Sequence, residues 1–192
     1  MSRVTADGAF AIMQGRTVGG STTVNWTSSF HTPTETLTHW TEHFNLKGFS
    51  EADMSPWFKN RESRLNIAKW EVPPNENNEV LARGCKNLGW SSAIIPRNVK
   101  GCWNLGYCGV GCPTNAKQSM LVTTIPGALN HGASLIYGAR ADKLEYSEDK
   151  AVALHCTALD QDAIGPTGRK ITLRAKHFVV SASAIGSPAL LL

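Results

Sequence analysis

Several patterns that would place a protein in a common class are missing from these 192 residues. No stretch approaches the roughly 18 consecutive apolar residues that a membrane-spanning helix requires. The first ten residues, MSRVTADGAF, lack the basic head and apolar run of a secretory signal. The glycine pattern Gly-x-Gly-x-x-Gly does not occur either. We therefore expect a cytoplasmic protein with no transmembrane segment.

Charge is neither extreme nor clustered. Nineteen Lys and Arg residues against fifteen Asp and Glu give a formal net charge of +4. The basic residues are scattered, whereas proteins that bind nucleic acid or a membrane surface concentrate them in runs or patches. The sequence thus predicts no nucleic-acid partner. With 42% hydrophobic residues, the chain can bury the core of one domain or of one and a half.

The most unusual stretch is GRTVGGSTTVNW, from Gly15 to Trp26. Glycine tolerates positive φ and has no Cβ, so Gly19 and Gly20 would let the backbone approach a ligand closely. The hydroxyl residues that follow suit a helix start, where N–H groups and the helix dipole favour an anionic group such as a phosphate. A Gly-Gly turn before a purely structural helix would have a similar sequence. Both interpretations remain open from these residues alone.

A second concentration of unusual residues is PRNVKGCWNLGYCGVGCPTNAKQSM, residues 96–120. It brings Cys102, Cys108 and Cys112 together on a glycine-rich loop. Zinc or an iron–sulfur cluster would explain three cysteines, but each normally has four ligands with paired close spacings, whereas these gaps are five and three residues. A disulfide in an oxidising compartment and reduced packing thiols in the cytosol are the other two explanations.

Helix signals occur at three places. Ser50 and Asp53 predict a capping box, and the residues that follow at helical spacing predict a core-facing side. That side comprises Met54, Trp57, Phe58, Arg61 and Leu65. After a loop through PPNENN, the stretch EVLARGCKNLG predicts a second helix ending at Gly89, and residues 123–132 predict a third.

Residues 26–45, WTSSFHTPTETLTHWTEHFN, lack a clear period and predict a loop that lines a surface or pocket. Their histidines, His31, His39 and His43, do not have the spacing of a metal site. Further along, ASLIYGA, ADKLEYS, AVALHCTAL and KITLRAK have the period of strands, the middle ones forming an antiparallel meander. HFVVSA predicts a strand buried on both faces, followed by a helix starting at residues 185–188.

Three pieces of the chain stand in one order. They are Gly-Gly-Ser-Thr-x-x-Asn, a Cys-Gly-x-Gly-Cys-Pro loop leading to AKQSM and a Gly-Ala strand, and a strand ending in AIGSPALLL. Together they resemble the glucose-methanol-choline (GMC) family of FAD-dependent oxidoreductases, over nearly the whole chain from about Gly15 to Leu192. The cysteine loop most resembles the bacterial branch related to long-chain alcohol oxidases.

The resemblance implies a mixed α/β (α+β) fold: part of a Rossmann-like FAD-binding domain with a β-meander, plus part of a cap or substrate region. Residues 1–30 and 115–192 would belong to the FAD-binding domain, and residues 31–114 to the cap or substrate side. The implied reaction is hydride transfer from the CH–OH carbon of a small alcohol to FAD, with oxygen or another electron acceptor.

Carried over by position, the resemblance assigns flavin-side contacts to one segment and an adenine contact to one strand. The cofactor-binding residues it implies are Gly15, Arg16, Gly19, Gly20, Ser21, Asn25 and Ala141, the last through its backbone. Ser183 stands where the family usually has glycine, which puts the local turn in doubt. The phosphate-binding glycine loop would lie before Met1 and the catalytic histidine beyond Leu192, so no catalytic residue and no metal ligand is assigned. His31 follows the flavin signature and is a pocket-lining candidate.

The ends of the chain support the expectation of a central fragment that is inactive by itself, because an apolar helix is cut near its start and no strand precedes the first loop. Two rival hypotheses come from other classes of protein. One is a non-catalytic metal or redox module built on Cys102, Cys108 and Cys112. The other is a structural piece that has lost its activity.

Overall fold

A computed structural model describes residues 3–192. The chain divides into two compact units, Met1–Ala133 and Ser134–Leu192. Helices and small antiparallel sheets occur together, which confirms the mixed α/β class. Among the helices described, none has the length and apolar character needed to cross a membrane.

Within the described residues, the first unit contains two antiparallel strand pairs, four α-helices and a short 3₁₀ helix. The strands are β1 (Arg3–Val4) with β2 (Ala11–Ile12), and β3 (Ile67–Lys69) with β4 (Pro96–Asn98). The helices are α1 (Thr34–Phe44), α2 (Glu51–Leu65), α3 (Glu76–Asn87) and α4 (Thr124–Asn130), and the 3₁₀ helix is Gly20–Thr23. The hairpin of β1 and β2 lies where the sequence suggested a loop with no preceding strand.

The prediction of a continuous loop over residues 26–45 is wrong, because α1 occupies Thr34–Phe44. Pro33 precedes the first helical residue, where its fixed φ and missing N–H do no harm. Leu37 is 1% exposed and anchors the helix, with Thr36 and Trp40 half-buried beside it. The helix was not predicted because threonines and histidines surround its one buried apolar residue, Leu37, and no helical spacing of apolar residues is visible.

The capping box of α2 is confirmed, since Ser50 Oγ accepts a hydrogen bond from the Asp53 N–H and the Asp53 carboxylate accepts from the Ser50 N–H. The predicted core side of α2 is wrong. None of its residues is buried, and Trp57 is 65% exposed. Helix α3 begins three residues earlier than predicted, because Asn75 acts as its N-cap and accepts from the Asn78 N–H.

The second unit is a three-stranded antiparallel meander with one helix. Its elements are β5 (Ala139–Ser147), β6 (Lys150–Leu159), β7 (Pro166–Leu173) and α5 (Ser183–Leu191). The predicted meander is confirmed, with β6 central and its Ala153 and Cys156 buried. The predicted strand ASLIYGA contributes only Ala139 to β5.

The prediction of a buried strand at HFVVSA is wrong for this structure. Residues 177–182 form no strand, and Val179 is 88% exposed. A strand buried on both faces needs paired strands at its edges and layers above and below. Among residues 3–192, no paired strands and no covering layers lie around residues 177–182.

Helix α5 begins at Ser183, whose φ is +71°. This is the left-handed region that glycine occupies at little cost and that costs an L-residue about 1–2 kcal/mol. Ser183 therefore replaces the glycine expected from the resemblance at a position where the backbone conformation favours glycine.

Candidate functional site

The glycine segment, which we define as Gly15–Trp26, folds back on itself. The Gly15 N–H donates to Ser21 Oγ at 2.9 Å, and a Cβ on Gly15 would lie 2.7 Å from the carbonyl oxygen of Gly20. Gly19 has φ +89°, and a Cβ there would lie 2.9 Å from the backbone nitrogen of Leu121. Both positions require glycine because the protein's own backbone fills the space beside them.

Gly20 differs from the other two glycines. Its φ is +59°, but a Cβ at this position would meet nothing within 4 Å. Three polar residues of the same segment are exposed, namely Arg16, Ser21 and Asn25. The segment therefore has an open backbone position at Gly20 and three exposed polar residues in the same twelve positions, which suits the binding of an external ligand.

Lys117 ties the glycine segment to the cysteine loop, Gly101–Pro113. It is 3% exposed, and its ammonium donates to the carbonyl oxygens of Thr23 at 3.0 Å, Asn25 at 2.5 Å and Cys108 at 2.5 Å. Burial lowers the pKa of Lys117, and the thiols of Cys108 and Cys112 act in the opposite direction. A buried ammonium with three carbonyl partners fixes both chain segments at once.

Two further contacts join the same segments. A Cβ on Gly109 would lie 2.7 Å from Cζ2 of Trp26, so the cysteine loop packs directly on that indole. Next to it, Thr27 is 1% exposed with φ +66°, and its carbonyl accepts from the Asn98 N–H at 3.2 Å. The end of the glycine segment is thereby attached to β4.

The cysteine loop borders a cavity of about 130 Å³. Its lining includes Trp26, Trp70, Arg97, Cys102, Cys108 and Cys112. The Arg97 guanidinium lies 4.1 Å from the centroid of the Trp70 ring, a cation–π contact. All three cysteines are half-buried free thiols. The described residues contain no set of three or more His, Cys, Asp or Glu side chains arranged to hold a metal ion, so the metal-module hypothesis gains no site here.

The candidate His31 lines a second cavity, of about 330 Å³, together with Glu62. His31 Nε2 lies 2.7 Å from Glu62 Oε1, and the imidazole stacks on Phe58 with ring centroids 4.5 Å apart. The structure thus holds this histidine in a fixed orientation at a pocket. Of the other two histidines, His39 contacts His43 and lies on α1.

Ala141 lies in the second unit, on β5, opposite Cys156 of β6. It is exposed, and the strand pairing is irregular directly after it, between Ala141 and Lys143. The next residue, Asp142, accepts a hydrogen bond from Thr157 and pairs with Arg140 at 2.9 Å, and these contacts hold the pKa of its carboxyl below the ordinary value. The six residues predicted near Gly15–Asn25 are thus brought together in the first unit, and Ala141 is in the other unit.

Comparison with known proteins decides the family. The family model described as GMC oxidoreductase matches residues 1–192. The chain belongs to the GMC oxidoreductase family. The GMC N-terminal domain is a Rossmann-like FAD-binding domain, so the family and cofactor expected from the sequence are confirmed.

The relatives of this GMC chain are longer proteins. A long-chain-alcohol oxidase of Arabidopsis thaliana is 29% identical over 98% of the chain and 26% of its own length. Uncharacterized GMC-type oxidoreductases of Sinorhizobium fredii and Mycobacterium tuberculosis are 30% and 31% identical, over 94% and 95% of the chain. The chain spans 35% and 28% of these two relatives, so it corresponds to about a third or less of the three proteins.

The described residues fit a flavin cofactor at the glycine segment. The space beside Gly20 is open on the side where a Cβ would project, so an aromatic ring system can reach the backbone there. Asn25 Oδ1 accepts from the Thr27 N–H at 3.1 Å, which leaves its amide N–H₂ group to donate outward. Arg16, an exposed residue of the same segment, carries a permanent positive charge.

Sequence reasoning missed Lys117 and Thr27, the two buried polar residues that hold the segment in place. Lys117 lies 94 residues from Thr23 along the chain, and nothing in the run AKQSM distinguishes it from an exposed lysine. Thr27 follows the glycine signature directly, but its positive φ is rare for a β-branched residue and has no sequence signal.

Proposed function

We propose that the full gene product containing this chain oxidises the CH–OH group of a small-molecule alcohol. FAD, when bound, supplies the acceptor for the hydride that leaves the carbinol carbon. The observation that carries the proposal is the open surface at Gly20 in a chain of the GMC family, one of whose relatives is named a long-chain-alcohol oxidase. Oxygen or another acceptor would then remove the electrons.

The proposed duties of the residues follow from their surroundings. Gly20 gives the flavin side of FAD close access to the backbone, and Asn25 donates a hydrogen bond to its polar edge. Arg16 and Ser21 attract and orient its anionic part. Gly15 and Gly19 contribute by closing the turn that presents these groups, and Ala141 contacts the adenine through its main chain.

We also propose a division of labour along the chain. Residues 1–30 and 115–192 contribute to the FAD-binding domain, and residues 31–114 contribute to the cap or substrate side. Lys117 would then join the two parts, since its ammonium donates to the carbonyls of Asn25 on the FAD-binding side and of Cys108 on the cap or substrate side. The cavity beside His31 is the substrate-side pocket in this scheme.

The experiment is spectroscopic. The full gene product is purified, its flavin absorbance is recorded, and alcohols of increasing chain length are added without oxygen. Bleaching of the flavin band by an alcohol, with recovery when air is admitted, supports both the reaction and oxygen as acceptor. Recovery only with another oxidant identifies a different acceptor. A colourless protein that does not bind added FAD refutes the proposal.

A matched pair of variants tests the position of the cofactor. Gly20→Val places a branched side chain in the open space beside the glycine segment, so we expect loss of most of the bound FAD. Gly48→Val is the control, because Gly48 also has positive φ, +78°, and open space around it but lies outside the segment. Equal FAD retention by both variants would show that the cofactor does not lie against Gly20.

A further inference from the structure

The cysteine loop carries chemistry that the proposed alcohol oxidation does not use. Cys102, Cys108 and Cys112 are free, half-buried and border one open cavity, so small reagents can reach them. The remaining two cysteines of the chain lie elsewhere, Cys85 on α3 and Cys156 buried in β6. The three thiols of the loop are therefore not equivalent to the other two.

Cys112 has the surroundings of a stabilised thiolate. The Thr114 hydroxyl lies 3.5 Å from its sulfur, and the backbone N–H groups of Lys117, Thr114 and Ala116 also interact with it. Burial raises the pKa of Cys112, but these hydrogen bonds outweigh burial and hold the pKa below its ordinary value. Asn115 has φ +55°, and its N–H donates to the Cys112 carbonyl at 3.1 Å, so the backbone turns directly after Cys112.

A tight turn separates Cys108 from Cys112, and both residues border the same cavity. A bridge joins Gly109 to Gly111, and the Val110 N–H donates to the Tyr107 carbonyl at 3.0 Å, so the chain doubles back between the two cysteines. Lys117 interacts electrostatically with both thiols and is hydrogen-bonded to the Cys108 carbonyl at 2.5 Å. A buried cation therefore stands next to this pair.

Cys102 is held differently. Its sulfur accepts a hydrogen bond from the Asn104 N–H at 3.4 Å, and it is not among the thiols that interact with Lys117. Arg97 and Tyr107 are the other titratable or charged side chains that line the cavity. The permanent positive charge of Arg97 adds to that of Lys117 in favouring an anion there.

We propose that Cys112 and Cys108 form a peroxide-reactive thiol pair, with Cys112 as the nucleophile and Cys108 as the thiol that resolves the product. The Cys112 thiolate attacks one oxygen of a hydroperoxide: an S–O bond forms, the O–O bond breaks, and the leaving oxygen takes a proton to become water or an alcohol. The Cys108 thiol then attacks the sulfenic sulfur: an S–S bond forms, the S–O bond breaks, and the hydroxyl leaves with the thiol proton as water. Two thiols lose two electrons and the peroxide gains them. This pair goes beyond the proposed oxidation and does not depend on it.

The test uses one peptide of the full gene product. Trypsin releases residues 101–117, which carry Cys102, Cys108 and Cys112 and contain no internal Lys or Arg. The reduced protein is treated with hydrogen peroxide, its remaining thiols are alkylated, and the peptide is sequenced by mass spectrometry. We expect a peptide lighter by two hydrogens, with a bond between Cys108 and Cys112 and the alkyl group on Cys102. Cys85 and Cys156 should remain alkylated rather than oxidised.

Two variants and one rate assign the roles. Cys112→Ser should leave Cys108 reduced, whereas Cys108→Ser should leave a sulfenic acid at Cys112 that dimedone traps. Alkylation of Cys112 by iodoacetamide at neutral pH should be at least about threefold faster than that of Cys85, because the lowered pKa of Cys112 increases its own thiolate fraction, an effect that lower nucleophilicity partly offsets.

Three results would overturn the proposal. They are full alkylation of all three loop cysteines after peroxide, a disulfide that includes Cys102, and oxidation of Cys108 in Cys112→Ser at the wild-type rate. The mapping of the bond in the wild-type protein does not require any variant to fold, so it decides the question even if a variant is unstable.

Discussion

Replacing Lys117 by Met removes the ammonium that joins the glycine segment to the cysteine loop and keeps an unbranched side chain of similar length. Three carbonyl oxygens, on Thr23, Asn25 and Cys108, then lose their charged donor. A buried acceptor left without a partner costs about 1–3 kcal/mol. The low end applies because these residues are half-buried or exposed and water can reach their carbonyls.

The Lys117→Met variant also avoids the free-energy cost of burying an ammonium, which reduces the net destabilisation. Burying the ammonium is unfavourable, as the lowered pKa of Lys117 indicates, and Met removes that term. The three lost hydrogen bonds cost about 1 kcal/mol each. Because part of this loss is offset by the avoided desolvation of the ammonium, we expect a net destabilisation of about 2–3 kcal/mol. This destabilisation is local, because the contacts join two particular segments.

Hydrogen exchange measures this local free energy. A loss of 2–3 kcal/mol corresponds to about 30- to 140-fold faster exchange in residues 15–26 and 101–117, since about 1.4 kcal/mol is tenfold. Lys100→Met is the matched control, because Lys100 is exposed and its hydrogen bond within residues 3–192 is made by its backbone N–H, to the Ala116 carbonyl. Unchanged exchange in both segments of the Lys117 variant would refute the inference that its ammonium holds them together. Uniform acceleration over the chain would refute the local mechanism.

Three substitutions test individual backbone positions. Gly15→Ala forces a Cβ to within 2.7 Å of the Gly20 carbonyl, so we expect a loss of about 1–3 kcal/mol and faster exchange in the glycine segment; unchanged exchange would contradict the close packing. Ser50→Ala removes the cap of α2 and should cost about 1 kcal/mol, seen as faster exchange in its first turn, with exposed Ser63→Ala as the control. Ser183→Gly relieves a positive φ and should raise stability by about 0.5–1 kcal/mol after allowing for the flexibility of glycine, and a lower unfolding midpoint would contradict this.

Sequence reasoning succeeded where the signal is local. The capping box of α2 needs only Ser50 and Asp53, which lie three residues apart, and the meander needs only period two and turn residues over residues 139–173. It failed where the outcome depends on distant neighbours. The apolar run HFVVSA predicted a buried strand, but its burial requires partners that residues 3–192 do not place around it.

The candidate site shows the same division. The glycine segment was recognisable because its composition is unusual over twelve consecutive positions, Gly15 to Trp26. Lys117 was not, because its role is created by carbonyls 92 and 94 residues away that only the fold brings to it. Every residue has a carbonyl oxygen, so the side chains of Thr23 and Asn25 give no sequence signal for their contact with Lys117.

A glycine can be required by close packing of the protein's own atoms or by the approach of a ligand. The sequence could not distinguish these two causes, but the structure of the three glycines in the segment does. Gly15 and Gly19 are explained without any ligand, because the protein's own atoms occupy the space where a Cβ would lie. A turn that is purely structural would need these two and would tolerate a small side chain at the third. At Gly20 a Cβ would have no atom of residues 3–192 within 4 Å apart from those of its local backbone and chain neighbours, and the positive φ of +59° alone favours, but does not demand, glycine. The proposed approach of a cofactor therefore depends on Gly20, and the contrast between Gly20→Val and Gly48→Val tests that dependence separately from backbone strain.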